Sequence, residues 1–456
     1  MPENFSFTSS ASAIPTVDPE ADDFQEVRTR LITGSAGTGK TYTIRKEMED
    51  DPKKQGILAS TTGISAVNLG TTTINALLKY FNTDSLRQAF IKGRLTRRFA
   101  ELALFCKELY IDEFSMLDGD QLDIFHQALR EANNQQKVKK KNPDGMGLTL
   151  VGDLAQLPPV KCKWPFEAEC WGMFEANHTK LEKNWRQGDG CFLDAINAIR
   201  SGDGSNGARL LKEAGVEFSN ANLIDFPGTT ILAKNNDVDR FNYVALSKVA
   251  GDMIRVPSER WLCNAAKAPG EWKNIPDLLQ VKLGAYVMIL ANTMDFSYAN
   301  GDCGFIKGYD PSTHIFQVEL VRNQRIVNVP MVTRELFADY DPLNFINPNE
   351  ATTESVAKGE PRPWNIPFYD EDKDRYVTGA IRFAPIRLAY SSTVHKTQSL
   401  TLDRVQMDVR NGFFGSPAML YVAVSRCRTP QGLRIVGTPE LVASRCKVDP
   451  KVLRWL

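Results

Sequence analysis

The sequence has little of what would place it outside the ordinary folded enzymes. Its 456 residues carry no net charge, with 55 Lys and Arg against 55 Asp and Glu, which excludes a protein that is basic over its whole surface. Histidine is scarce, at four, and the eight cysteines never fall in C-x-x-C pairs. Neither a zinc site nor a disulfide framework is expected, and a reducing compartment fits. No apolar run nears the ~20 residues that cross a bilayer. The N-terminus lacks a basic and then apolar leader, so no membrane partner and no signal peptide are expected. What remains is a chain 42% apolar, too rich for disorder. At roughly 150 residues per domain it should hold about three domains.

The neutrality hides a segregation. Residues 1–27 hold six acids (Glu3, Asp18, Glu20, Asp22, Asp23, Glu26) and no base, and read as an acidic flexible tail. Residues 338–375 hold nine acids and four bases, and read as a long exposed acidic loop. Without these two segments the body carries +11. Of that, +5 lies between Lys79 and Lys107, where Phe81, Phe90, Phe99 and Phe105 are interleaved with the bases. A locally positive track is what nucleic-acid binding needs.

From Arg28 onward, short apolar runs end abruptly in small or polar residues. Arg30–Thr33 stops at Gly34, Gly56–Ala59 at Ser60-Thr61-Thr62, Leu109–Ile111 at Asp112-Glu113, and Leu148–Val151 at Gly152-Asp153. Such runs suit buried parallel strands whose carboxyl ends converge on one ligand-binding edge. A second α/β region is expected from near Lys180, with strands at 229–233, 285–289 and 434–436. Alternating segments after the Asn300-Gly301 turn signal suggest a small inserted β-barrel.

Gly34-Ser35-Ala36-Gly37-Thr38-Gly39-Lys40-Thr41 fits G-x-x-x-x-G-K-[ST] between a strand pattern and a helical one, the context a P-loop requires. Its glycines (Gly34, Gly37, Gly39) and Thr38 would let backbone N–H groups cradle phosphates at a helix N-terminus. Lys40 would hold the β- and γ-phosphates and Thr41 would hold Mg²⁺. Asp112 would share that Mg²⁺, and Glu113 would orient or deprotonate the attacking water.

With these residues in place, further segments resemble superfamily-one helicases of the RecD/Dda/Pif branch. Asp112-Glu113-Phe114-Ser115-Met116 is similar to motif II and Gly152–Val160 to motif III. Asn184-Trp185-Arg186-Gln187 is similar to motif IV, Thr393–Asp403 to motif V and Tyr421–Arg428 to motif VI. The resemblance runs from Arg28 to Val436. It implies an α/β fold of two RecA-like P-loop domains with ATP between them, a small 1B wedge element and an inserted SH3-like 2B barrel. The expected divisions are 28–182 for domain 1A, with the wedge at about 79–105, then 183–299 and 385–456 for domain 2A, and 300–384 for the insertion. The bland alternative for 79–105 is an amphipathic helix with its phenylalanines in the core.

The resemblance also implies the activity, an ATP-dependent helicase moving 5′ to 3′ along single-stranded DNA and unwinding duplex in replication, repair or recombination. Lys40, Glu113, Gln156, Arg186 and Arg426 would be catalytic, the arginines reaching the γ-phosphate from the second domain. Ser60, Thr61, Thr62, Asn75, Pro158, Pro159, Val160, Thr393, His395 and Lys396 would hold the strand. For the Ser-Thr-Thr run the alternative is helix capping, and for His395 a structural hydrogen bond. ATP and Mg²⁺ are the expected cofactors. Single-stranded DNA and duplex junctions are the expected partners, with a replication or single-strand-binding protein as a further one, acting on a monomer inside the cell where DNA lies. An RNA track, or a non-motor protein switched by ATP, are the competing functions. Two departures stand out: the only upstream glutamine, Gln25, is about nine residues before Gly34, and Ser399 replaces the usual motif V glycine.

Overall fold

The computed structural model describes residues 26–50, 56–69, 71–263, 272, 275–291, 293, 297–338, 368–370, 375–398 and 400–456. The N-terminal tail up to Gln25, Ser399 and most of the acidic 338–375 segment lie outside these residues.

The first sheet contains β1 (Thr29–Gly34), β2 (Gly56–Ser60), β3 (Thr72–Thr73), β4 (Glu108–Asp112), β5 (Gly147–Gly152) and β6 (His178–Leu181), in the order β3-β2-β4-β5-β1-β6. All pairings are parallel. Alternate residues cover opposite faces. Leu109, Ile111, Leu148 and Leu150 join Leu122, Phe125 and Leu129 of the helix Gly119–Asn133 on one side. Ile32, Leu58, Tyr110 and Val151 meet Ile44 of the helix Lys40–Asp50 on the other. Burial on both faces is why these strands read as unbroken apolar runs. Parallel order brings Gly34, Ser60, Thr73, Asp112 and Gly152 to one edge.

The 79–105 interval forms two helices, Thr83–Ile91 and Arg94–Ala103, joined at Gly93 with φ 66°. Asn82 and Ser85 close a capping box on the first. Leu86, Leu95 and Phe99 anchor the pair to the core, Phe99 packing edge-on against Phe125. Phe81 (93% exposed) and Phe105 (68%) project into solvent, as do Lys92, Arg94 and Arg97.

The second parallel sheet, in the order β20-β8-β21-β22-β7, contains β7 (Glu217–Ser219), β8 (Thr229–Leu232), β20 (Ser391–Thr393), β21 (Val405–Asp408) and β22 (Leu433–Val436). Its core takes in Ala36, Ala155 and Leu157 from the first sheet's loops alongside Tyr421 and Val424, so the two lobes abut at the P-loop.

Beyond the helix Asn235–Ser247, the strands described between β8 and β20 pair antiparallel. One sheet runs β15 (Ile326–Val329), β14 (Ile315–Leu320), β13 (Cys303–Asp310), β12 (Tyr286–Ile289) and β19 (Ile386–Leu388). In another, β10 (Glu259–Leu262) and β16 (Val332–Ala338) flank β18 (Arg375–Phe383), which also pairs with β17 (Phe368–Asp370). A third pairs β9 (Ile254–Pro257) with β11 (Leu278–Val281). This corrects the placing of 285–289 in the second parallel sheet: β12 pairs antiparallel with both β13 and β19. All four of its residues are buried, and a strand buried on both faces has the same apolar signature whichever way its neighbours run. The antiparallel region therefore extends from β9 to β19, well beyond 300–384.

Candidate nucleotide and strand site

The loop between β1 and the helix starting at Lys40 turns through Gly37 (φ 91°) and Gly39 (φ 80°), backbone states that favour glycine. Both also admit a close neighbour. A Cβ on Gly37 would lie 2.7 Å from the Arg186 Cβ, and one on Gly39 would lie 3.3 Å from the Trp185 ring. The segment Asn184-Trp185-Arg186 thus lies on the loop. The Asn184 amide donates to the Ala36 carbonyl at 2.8 Å, and the Trp185 N–H donates to the Gly37 carbonyl at 2.8 Å. Trp185 remains 70% exposed, with the Lys183 ammonium 4.0 Å from its ring centre.

Lys40 is buried, and its ammonium donates to the Gly34 and Ser35 carbonyls at 2.8 and 3.0 Å. Burial lowers its pKa against the pull of Asp153, Glu113 and Asp112. Thr41 donates its hydroxyl to the Asp112 carboxylate at 2.7 Å. Burial first and Glu113 second push Asp112 up to about 6. Two adjacent buried carboxylates beside an ammonium form a site that favours a cation. A hydroxyl and a carboxylate are oxygen donors of the kind Mg²⁺ takes alongside substrate phosphates, so the residues present fit that ion.

The second lobe completes the cluster. The Gln398 amide donates to Glu113 at 3.1 Å and to the Gln156 carbonyl at 3.4 Å, all three buried. Arg186 donates to the Ser425 carbonyl at 3.0 Å, and Gln187 donates to the Ser425 and Cys427 carbonyls. Burial and the neighbouring Arg426 pull Arg186 down to about 9, and it stays charged at neutral pH. Arg426 is 1% exposed and donates to the Val422 carbonyl and the Ser425 hydroxyl. The Tyr421 hydroxyl accepts from the Ala36 N–H at 2.8 Å and donates to Asp153 at 2.7 Å. Burial would raise Asp153, but Arg200, 2.8 Å away, outweighs it and holds the carboxyl below its usual range.

The residues expected on the strand divide into three groups. Thr61, Asn75, Pro159 and Val160 line one cleft of about 140 Å³ with Met116 and Gln121, and Pro158 is not among its lining residues. Beside it, Ser60 is fully buried and offers no surface to a strand. The Thr62 hydroxyl accepts from the Ser65 N–H and caps the helix Gly63–Leu69, so capping is its visible role. Thr61 donates to the Glu113 carbonyl at 2.8 Å, joining this cleft to the nucleotide cluster. On the other lobe, Thr393 is buried and caps the helix Val394–Thr397, while His395 is exposed and Lys396 half-buried. Among the described residues no His395 side-chain hydrogen bond joins it to the nucleotide cluster, whereas Gln398 reaches Glu113 and Gln156.

Asn184, Asp153, Gln398 and Tyr421 stand inside the motif-like stretches named above, and that place was the available signal; Tyr421 is in addition a polar-tipped residue within the apolar run Met419–Val424. Arg200, at the end of the helix Cys191–Arg200, had none.

The PIF1-like helicase family model matches residues 20–204. The chain is 29% identical over 442 residues to the ATP-dependent DNA helicase Pif1 of Bdellovibrio bacteriovorus, covering 93% of this chain and 87% of that protein. It is 25% identical to the human ATP-dependent DNA helicase PIF1, with 97% of this chain matched but only 64% of the human protein. Among solved structures, Bacteroides Pif1 in complex with ADP-AlF4 superposes with a TM-score of 0.68 at 24% identity, covering 94% of this chain and 93% of that one.

Proposed function

We propose that this chain is an ATP-dependent DNA helicase of the PIF1-like kind, and that its residues hydrolyse ATP and follow a strand in the following way. The observation that carries the reading is the assembly of one cluster from two sheets: Lys40, Thr41, Asp112, Glu113 and Gln156 from the first, and Arg186, Gln398 and Arg426 held by the second. Lys40 and the Gly34–Thr41 backbone bind the ATP phosphates. Thr41 and Asp112 hold Mg²⁺, which when bound neutralises charge on the phosphate oxygens. Glu113 orients the attacking water, with Gln156 beside it. Arg186 and Arg426 stabilise charge developing on the γ-phosphoryl group, a role often worth roughly 10³–10⁵ in rate. Because these arginines are fixed to the second lobe, hydrolysis is tied to opening and closing of the cleft.

The strand runs along the Thr61–Asn75–Val160 cleft and on to His395 and Lys396. Hydroxyls, backbone N–H groups and cations grip phosphate there without reading sequence. Translocation is 5′ to 3′. Residues 28–182 form the first motor domain, with the helices of 79–105 as the wedge. The second motor domain begins at 183 and resumes after β19, and the antiparallel sheets between them are the 2B insertion, of SH3-like kind. The protein acts as a monomer on single strands and forked junctions, with a replication or single-strand-binding protein as its partner. Among the described residues no helix is long and apolar enough to cross a membrane.

Tailed duplexes test the reading. The protein should unwind a 5′-tailed duplex and leave a 3′-tailed one intact, with ATP hydrolysis stimulated by single-stranded DNA more than by RNA. Unwinding from the 3′ tail alone would refute the polarity, and stronger RNA stimulation would move the track. Lys40→Ala should abolish hydrolysis, and persistence of activity would refute the assigned phosphate site.

A further inference from the structure

A second groove lies beyond the described track, between the helix Asn235–Ser247 and strands β11, β19 and β20. It encloses about 300 Å³. Lys396, at the end of the proposed track, lines it, so groove and track are continuous. Arg387 also lines it, and among the described residues no carboxylate stands within ion-pair distance of it. Its guanidinium donates to the Met288 sulfur at 3.3 Å, and sulfur is a weak acceptor. Burial lowers the pKa of Arg387, and burial together with Arg387 lowers that of Lys396. Two cations therefore face one space and repel each other. The Ser392 hydroxyl, on the same wall and 3% exposed, has no hydrogen-bond partner among the described residues. A half-buried guanidinium without a counter-ion and a buried hydroxyl without a partner both raise the free energy of the empty groove. The carboxylate lining it is Asp239, which favours the charged form of Lys396. At the rim stands Tyr243, 70% exposed, beside Leu278, 41% exposed.

Resting on the single-strand translocase reading, we infer that this groove binds one further nucleotide of the tracked strand, its phosphate on Arg387, Lys396 and Ser392 and its base stacked on Tyr243. The chemistry is matched in kind. An anion satisfies the unpaired cation and hydroxyl, and an aromatic face accepts any base, as a motor that ignores sequence requires.

The test is binding of a labelled oligothymidylate and of an abasic oligomer with the same backbone, measured by fluorescence anisotropy across a salt series. Tyr243→Ala should weaken the oligothymidylate roughly fivefold to a hundredfold, leave the abasic oligomer unaffected, and leave the salt slope unchanged. Arg387→Gln should weaken both ligands and flatten the slope of log affinity against log salt by about 0.7, the value of one single-strand phosphate contact. A fold defect would not separate the two variants in this way. Tyr243→Ala is a surface change, so the inference stays testable even if Arg387→Gln folds poorly. If both variants bind both oligomers like the unchanged protein, the inference falls while the translocase reading stands. It falls also if Arg387→Gln weakens only inorganic phosphate, measured by calorimetry, which would make the groove a free-anion site. If the unchanged protein binds neither oligomer, the translocase reading itself fails and takes the inference with it.

Discussion

The Gln398 side-chain amide reaches from the second lobe to donate to the Glu113 carboxylate of the first at 3.1 Å. Gln398 directly follows the helix Val394–Thr397, which carries His395 and Lys396. A strand that shifts this short helix therefore moves a donor on the carboxylate that orients water. Gln398→Ala should lower the DNA-stimulated rate by about tenfold or more while changing the KM for ATP little, since general-base assistance is worth ~10²–10⁴. Gln398→Glu tests the electrostatics. A carboxylate there cannot donate to Glu113 and repels it, so the rate should fall at least as far as in Gln398→Ala. A rate close to that of the unchanged protein would refute the contact's role.

Asp112 gives a prediction for stability. Its carboxyl titrates near 6 in the folded protein, raised by burial and then by Glu113, against an ordinary value near 3.9. Between these values the folded state holds more protons than the unfolded one. Its contribution to stability is therefore full below about 4 and lost as pH rises through 6. Asp112→Asn removes that titration. In the absence of nucleotide and metal, the variant should melt above the unchanged protein at neutral pH, and the advantage should shrink as pH falls toward 4. A Tm difference that is constant across this range would show that the carboxylate is not the source.

How much of this the sequence disclosed depended on how local the signal was. The P-loop was legible because its glycines answer a backbone requirement within eight consecutive residues. Asp112 and Glu113 were legible because they end an apolar strand. Strand direction was not: β12 is buried on both sides like a parallel strand, and only its partners reveal that it belongs with β13 and β19. Nor was the division of the Ser60-Thr61-Thr62 run. All three residues can touch phosphate, but the fold buries Ser60, spends Thr62 on a helix cap and leaves Thr61 in the cleft. The Asp153–Arg200 pair was beyond reach, because 47 residues separate the partners and no pattern in either segment names the other.

The exposed phenylalanines of the two-helix element carry the wedge proposal. Phe81 precedes the helix Thr83–Ile91, and Phe105 follows the helix Arg94–Ala103, with the Lys141 ammonium 5.9 Å from its ring centre. Neither contributes to the core, so truncation leaves the fold intact. Phe81→Ala or Phe105→Ala should slow unwinding of a 5′-tailed duplex while single-stranded DNA still stimulates hydrolysis normally. If unwinding and hydrolysis fall together, the residue serves the motor; if neither changes, it is not the wedge.

Tyr421 and Arg200 both hold Asp153, but the loss of each should have a different cost. Asp153 is fully buried, and its pair with Arg200 spans the two lobes at 2.8 Å. Tyr421→Phe keeps the buried ring and removes two hydrogen bonds, leaving the Ala36 N–H without a partner; the cost should be about 1–3 kcal/mol. Asp153→Ala leaves a mostly buried guanidinium unpaired and should cost about 3–5 kcal/mol. Denaturant unfolding would rank them, with Asp153→Ala less stable than Tyr421→Phe. The double variant should be less stable than Asp153→Ala by the Ala36 bond alone and so fall short of the sum of the single costs, because the tyrosine hydroxyl has already lost its acceptor. Equal costs for the single variants would mean that Arg200 finds another partner or solvent when Asp153 is removed. Fully additive costs would mean that Tyr421 acts through Ala36 alone, which would make its hydroxyl a fastener of the P-loop rather than of the joint between the lobes.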